Sequence, residues 1–205
     1  MDEARQAGRP DSRNALLYIA AASLVGSSIY FATLSHWFFS DDFHWLETAV
    51  KSVSNPRLIL THRFFNYFRP VVNALFSVNY LVFGLSAFGY HLFNVILHLI
   101  SGFLVGSLAY RIFHYRTLPA VFGTLIFAVN PAGSEAVIWV SGRTDLLSML
   151  FFLAAFNLAI WKPFGPITNR MVLYFTLLMA VFSKESAVVW PMILFCYRSR
   201  NDVLR

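Results

Sequence analysis

Acidic side chains are scarce in this chain, and the few present are grouped. Of ten Asp and Glu residues among 205, four lie near the two ends, leaving six for everything between residues 12 and 197. Those six fall into three groups: Asp41-Asp42 with Glu47, Glu135 with Asp145, and Glu185 beside Lys184. Each group ends a long uncharged run. A carboxylate in or beside hydrocarbon costs several kcal/mol unless it is paired, hydrated or functional. Three such groups on one side of a bilayer would make a polar site facing it. Other absences narrow the class. A single cysteine, Cys196, excludes an internal disulfide. Neither GxGxxG nor GxxxxGKS/T occurs, so nothing signals a nucleotide-binding fold. Between Pro70 and Tyr110 there is no Asp, Glu, Lys or Arg at all.

What is present fits an integral membrane protein. The chain is 58% hydrophobic and 13% charged, with a mean hydropathy of +0.59. Its 22 Phe, 9 Tyr and 5 Trp suit lipid-facing surfaces and interfacial belts. The net charge of +6 comes from short basic clusters between apolar runs. That pattern reads as membrane topology, and no nucleic-acid partner is expected.

The apolar stretch Ala15–Phe39 is too long for a signal-peptide core and lacks an A-x-A-like site, so it reads as an uncleaved first span. A mixed segment, Ser40–Arg69, follows and is broken at Asn55-Pro56. An interfacial or half-inserted helix is predicted at Val71–Phe83, then a span at Ala87–Phe113. A short apolar piece, Leu118–Val129, stops at Asn130-Pro131; the next span is Leu146–Trp161. The run Met171–Tyr197 is interrupted by Ser183-Lys184-Glu185-Ser186. The expected fold is all-α integral membrane, a bundle of about six full or partial transmembrane helices with an interfacial helix after the first span. Residues 1–14 and 198–205 are expected as cytoplasmic tails around a single multispanning domain, 15–197.

A cytoplasmic N-terminus puts Arg5, Arg9, Arg13, Arg111, Arg116, Lys162, Arg170, Arg198, Arg200 and Arg205 all inside, as the positive-inside rule requires. This works only if Lys184-Glu185 marks a turn between two half-spans. The alternative, one tilted helix over 171–197, would bury that pair mid-bilayer; the hairpin is preferred. All three acidic groups then share the non-cytoplasmic side. Uncharged pieces this short cannot cross fully without help from neighbours, which implies a water-accessible cavity.

Several residues could carry chemistry, each with a plainer reading. Asp41-Asp42 could be a hydrated helix start, a general base for an acceptor hydroxyl, or the seat of a divalent cation. Desolvation and like-charge repulsion would raise its proton affinity. Arg69, Asn73 and Ser77 share one helical face, as do His91, Asn94 and His98. Such residues in spans usually bond to neighbouring helices. His91 and His98 stand about 10 Å apart along a helix axis, too far for easy shared ligation, and no metal ligands are assigned. Gly102 and Gly106 form GxxxG, a close-packing signal. Arg143 and Lys184 are either snorkelling interfacial charges or donors to an anionic group such as a lipid phosphate.

A family resemblance weights these readings. Asp41-Asp42-Phe43, Phe68-Arg69-Pro70-Val71-Val72-Asn73 and Tyr90-His91-Leu92-Phe93-Asn94 with His98 occur in order. Asn130-Pro131 through Ser134-Glu135-Ala136-Val137, then Gly142-Arg143-Thr144-Asp145-Leu146-Leu147, and Ser183-Lys184-Glu185-Ser186 with Pro191 follow. In these words the chain resembles the multispanning GT-C glycosyltransferases, above all the transmembrane O-mannosyltransferases that carry tetratricopeptide repeats, and their bacterial relatives. The resemblance covers nearly everything from Leu34 to Tyr197. It implies a GT-C-like bundle, here the N-terminal part of a larger fold. The implied donor is a sugar, mannose among the candidates, carried on a polyprenyl phosphate; the acceptor is a hydroxyl of a protein or glycan. Asp41 and Asp42 become the catalytic carboxylates. Arg69, His91, Asn94, Glu135, Arg143, Lys184 and Glu185 become substrate-binding residues, with Arg143 and Lys184 facing the phosphate. Two positions depart from the pattern: the family's His-Pro is Asn130-Pro131, and the histidine usual two residues later is Gly133.

The expected function is therefore glycosyl transfer on the non-cytoplasmic face of a membrane, a bacterial inner membrane ahead of the endoplasmic reticulum. The alternative is a non-catalytic membrane protein that binds a lipid phosphate or a partner. A transporter is disfavoured because no inverted repeat is visible.

Overall fold

A computed structural model describes residues 12–63 and 66–203, with side chains up to residue 197. Arg5 and Arg9, most of the expected N-terminal tail, Arg205 and the side chains of Arg198 and Arg200 lie outside the described residues. Every described element is a helix or 3₁₀ turn. In chain order they are α1 (Ser12–Ser27, continued by a 3₁₀ stretch Ser28–Ser35), α2 (Asp42–Ser54), α3 (Leu58–Thr61), α4 (Pro70–Phe83) and α5 (Ala87–Ile112). Then come α6 (Thr117–Ala128), α7 (Ser134–Ile138), α8 (Arg143–Trp161), α9 (Pro166–Ser183) and α10 (Trp190–Val203).

Four helical stretches are long and apolar enough to cross a membrane: 12–35, 87–112, 140–161 and 166–183. A fifth span results if α6 and the segment 131–138, bent by 48°, are counted together. The expected all-α bundle of full and partial spans is thus present, with four or five full crossings; two further apolar helices, 70–83 and 185–197, are too short to cross by themselves. The break in the bent pair has a local cause. Pro131 cannot donate to a continuing helix, and the Asn130 side chain instead caps the next turn by accepting from Ala132 N at 3.0 Å.

Side-chain contacts fix the directions of the helices. Along α5, Ser23 of α1 donates to Leu99 O at 2.6 Å and Tyr30 meets the His98 ring, so α1 runs antiparallel to α5. His98 donates from Nε2 to Ala128 O, and Thr124 lies against Gly106, so α6 is antiparallel as well. Arg143 bonds to Asn94 and Asn157 to Leu104 O, so α8 runs parallel to α5. Asn169 bonds to Leu158 O at the start of α9, and Lys184 reaches Asp145 at its end. The next helix turns back: Trp190 stacks on Phe152 and Tyr197 meets Phe156 one turn further along α8. The chain therefore reverses at 184–189, where the uninterrupted-helix alternative would have continued straight.

One end of the bundle consequently gathers Arg13, Arg111, Arg116, Lys162 and Arg170, with Arg111 stacked over Trp161 and Tyr115. The other end gathers all six described carboxylates. The α1–α5–α6 seam is packed through small residues. A Cβ at Gly102 would stand 2.7 Å from Ser23 Oγ, and one at Gly106 would stand 2.2 Å from Thr124 Oγ1 and 2.4 Å from an Ile19 methyl. The GxxxG thus serves two neighbours at once. At the opposite end α4 packs against α2 and the start of α5, with Phe76 stacked on Trp45 and Phe83 against Gly89.

Gly106→Ala is expected to destabilise the protein by about 1–3 kcal/mol, the usual cost of overpacking. Gly133→Ala, where an added Cβ meets nothing within 4 Å, should stay within about 0.5 kcal/mol of wild type. Thermal unfolding in detergent would compare them; equal loss at both positions would contradict this seam.

Candidate active site

The cavity at the acidic end has a volume of about 720 Å³. It is bounded by the start of α2, the 130–145 segment and the turn at 184–190. Its geometry follows from three local devices. The 3₁₀ stretch ends at Ser35, and the chain turns through Ser40, a non-glycine residue at φ 53°. That turn delivers Asp41 as the N-cap of α2. Proline-broken, bent helix 131–138 folds back towards it, with Trp139 stacked on Phe39 and donating from Nε1 to Phe39 O. The reversal after α9 brings Lys184 and Ser186 to the opposite wall.

Asp41, Arg69, Glu135 and Lys184 all line this cavity, together with Asp145, Trp45, Asn130 and Gly133. Both cations are held by carboxylates. Lys184 Nζ donates to Asp145 Oδ1 at 2.5 Å. Arg69 grips Glu185 with two parallel bonds, 3.0 Å from Nε and 2.6 Å from Nη2, and lies 4.7 Å from the Tyr67 ring centre. Asp41 takes only a long contact, 3.5 Å, from Ser40 Oγ, and no partner is recorded for Glu135 among the described residues.

The other expected site residues sit beneath the cavity. Asp42 is fully buried. Its Oδ1 accepts from Ser141 N at 2.7 Å and Ser141 Oγ at 2.5 Å, and its Oδ2 accepts from Phe39 N at 3.1 Å. Burial pushes this carboxyl above the usual range, against the pull of those three donors. A carboxylate with every oxygen engaged is a brace, not a base. Arg143 was expected to face a lipid phosphate; the structure places it fully buried and outside the cavity lining. Its Nε donates to Asn94 Oδ1 at 3.0 Å, Nη1 to Asn79 Oδ1 and Nη2 to Tyr90 O at 2.9 Å, and the guanidinium lies over the Phe76 ring. Asn94 in turn donates to Trp139 O at 2.9 Å. His91 is enclosed beside His36. These four residues position the walls and do not touch the cavity.

Sequence reasoning missed Asn79, Ser141 and Trp139. Asn79 stood as a polar residue in an uncharged run but off the Arg69–Asn73–Ser77 face. No pattern marks Ser141, whose role depends on a partner 99 positions away. Removing the Arg143 guanidinium would strand two buried amide oxygens and a carbonyl, at about 1–3 kcal/mol each. Arg143→Leu should therefore lower stability by at least about 3 kcal/mol, while Lys184→Ala at the half-exposed rim costs under about 1 kcal/mol. Denaturant titration of both variants in detergent checks the division; a tolerant Arg143→Leu would refute the bracing role.

The chain matches no family model and no solved structure. It is similar to protein O-mannosyl-transferases. It shares 32% identity over 131 residues with protein O-mannosyl-transferase TMTC3 of Homo sapiens, 59% of this chain and 13% of that protein. With protein O-mannosyl-transferase tmtc2 of Xenopus laevis it shares 34% over 146 residues, 64% of this chain and 17% of that one. With protein O-mannosyl-transferase Tmtc1 of Drosophila melanogaster the figures are 42% over 93 residues, 43% and 10%. The chain thus spans less than a fifth of the length of these relatives. All three are animal proteins, which lends nothing to the expected bacterial membrane. The resemblance read from the sequence words agrees with these matches: across the part they share, the chain is similar to the TMTC proteins.

Proposed function

We propose that this chain forms the membrane-embedded site of a glycosyltransferase that moves a sugar, mannose by analogy with its relatives' names, from a polyprenyl-phosphate carrier to an acceptor hydroxyl. The observation that carries the reading is the meeting of Asp41 and Glu135 with Lys184 and Arg69 around one cavity. Asp41 is the base. It takes the proton from the acceptor hydroxyl as that oxygen attacks the anomeric carbon, and the bond from that carbon to the phosphate oxygen breaks. Lys184 and Arg69 receive the charge that builds on the departing phosphate, the task for which ammonium and guanidinium donors are suited. Glu135 orients a sugar or acceptor hydroxyl. Arg143, engaged elsewhere, gives up the phosphate role to these two cations. The apolar wall of Trp45, Met149 and Trp190 suits a polyprenyl chain entering from the bilayer.

Transfer belongs to the non-cytoplasmic face in this reading, because the basic end of the bundle is the one the positive-inside rule keeps in the cytoplasm. Both chain ends are then cytoplasmic. With Cys196 replaced by Ser, a cysteine at position 13 or 202 should resist an impermeant thiol reagent applied from outside. Labelling at either position would reverse the orientation.

Asp41→Asn should lower mannosyl transfer by about 10²–10⁴-fold, the usual contribution of a positioned base, with thermal stability unchanged. Asp42→Asn should lose stability along with activity. The assay is transfer from polyprenyl-phosphate mannose to a serine- and threonine-containing peptide by the full chain in lipid vesicles. Donor binding with no transfer by the wild-type chain would instead favour a non-catalytic lipid-phosphate-binding protein.

A further inference from the structure

Outside the cavity, two imidazoles face each other edge to edge. His44 lies in the first turn of α2 and His62 directly follows α3; their Nε2 atoms are 3.1 Å apart, with the rings inclined at 39°. Thr48, one turn beyond His44 on the same face of α2, brings its Oγ1 to 3.1 Å from His62 Nε2. The arrangement is held from a third element: Asn73 of α4 donates from Nδ2 to Ile59 O and His62 O, fixing the backbone that carries His62. Three separate segments thus converge to bring two ring nitrogens together.

Imidazole nitrogens bind zinc and similar ions at about 2.0–2.1 Å. A separation of 3.1 Å lies inside the span of about 4 Å that two such bonds can reach. Imidazole suits zinc, copper and nickel and suits magnesium or calcium poorly. Among the described residues no group of three or more His, Cys, Asp and Glu side chains gathers; of the α2 carboxylates beside His44, Glu47 is paired with Lys51 and Asp42 is bound to Phe39 and Ser141. Water would complete the coordination, so the ion would exchange.

We propose that His44 and His62, with Thr48 beside them, form an exchangeable site for a divalent transition-metal ion of the zinc–copper kind. The bound ion clamps the loop of α3 onto α2, the helix that presents Asp41 and Trp45 to the cavity. The site is separate from the glycosyl-transfer reading and stands without it.

The test is one equivalent of Cu²⁺ added to the full chain in detergent, in a Cys196→Ser background that removes the competing thiol. Electron paramagnetic resonance should show superhyperfine coupling to two nitrogens, and an excess of Zn²⁺ should displace the copper. His44→Gln and His62→Gln should each weaken binding by at least about tenfold and abolish the rise in Tm that ZnCl₂ gives the parent protein, whereas His114→Gln should change neither. Should the variants fail to fold, diethylpyrocarbonate modification of the parent protein gives the answer, with Zn²⁺ protecting residues 44 and 62 and leaving residue 114 reactive. Undiminished copper binding in both variants, no stoichiometric uptake by the parent, or no protection by Zn²⁺ would each reduce the pair to an ordinary imidazole hydrogen bond.

Discussion

The buried guanidinium of Arg143 is the constraint on which the acidic end of this bundle depends. It sits fully enclosed at the first turn of α8 and ties that helix to Asn79 of α4 and to Tyr90 and Asn94 of α5. A buried cation is expensive unless every N–H has a partner. Its presence therefore dictates the amide oxygens around it, and through Asn94 Nδ2 it dictates where Trp139 O must lie. Asp42 repeats the principle nearby, pinning Ser141 and Phe39 to the start of α2. Together they fix the bent 131–142 segment against the end of the first span. The cavity is what remains between them.

The two ends of the bundle solve opposite problems. At the basic end, helices approach until their glycines touch side chains, with no room at Gly106 or Gly102 for even a methyl group. At the acidic end the helices are short or bent, and polar atoms replace apolar packing. Close contact below is what lets the upper ends diverge without the bundle falling apart, because interhelical hydrogen bonds such as Ser23 to Leu99 O contribute only about 0.6 kcal/mol each. Van der Waals packing carries the lower half; satisfied polar networks shape the upper.

Much of this was legible in the residues. Uncharged runs located the four long spans, and the interruption at Ser183-Lys184-Glu185-Ser186 located the reversal, because a charge pair mid-bilayer costs more than a turn. The three acidic groups identified the end that holds the cavity. What the sequence could not separate was Asp41 from Asp42, or Arg143 from Lys184. Adjacent carboxylates look identical in one dimension, yet one stands at the N-cap position of α2 with its side chain lining the cavity and the other is sealed under it by Ser141, 99 positions away. Arg143 and Lys184 both looked like phosphate donors; only the fold shows one already spending its N–H groups. The exact number of full crossings was not legible for a related reason, since length decides crossing and α4, expected as an interfacial or half-inserted helix, is 14 residues long.

The pairing of the cavity cations bears directly on how a phosphate could bind there. Lys184 and Arg69 are held by Asp145 and Glu185, so both cations lining the cavity are paired. A partly exposed pair such as Lys184–Asp145 contributes about 0.2–1 kcal/mol, whereas hydrogen bonds to a charged partner in a drier setting contribute about 1.5–3 kcal/mol; Arg69, largely enclosed and bidentate on Glu185, is the more firmly held of the two. A polyprenyl phosphate that excludes water as it enters would therefore win the exchange. Its arrival frees Asp145 and Glu185 at the rim, where water still reaches them. The carboxylates at the rim and the one at the helix start then have different tasks, and it is the exposed, replaceable pairs, not the buried brace beneath them, that let the site respond to a ligand.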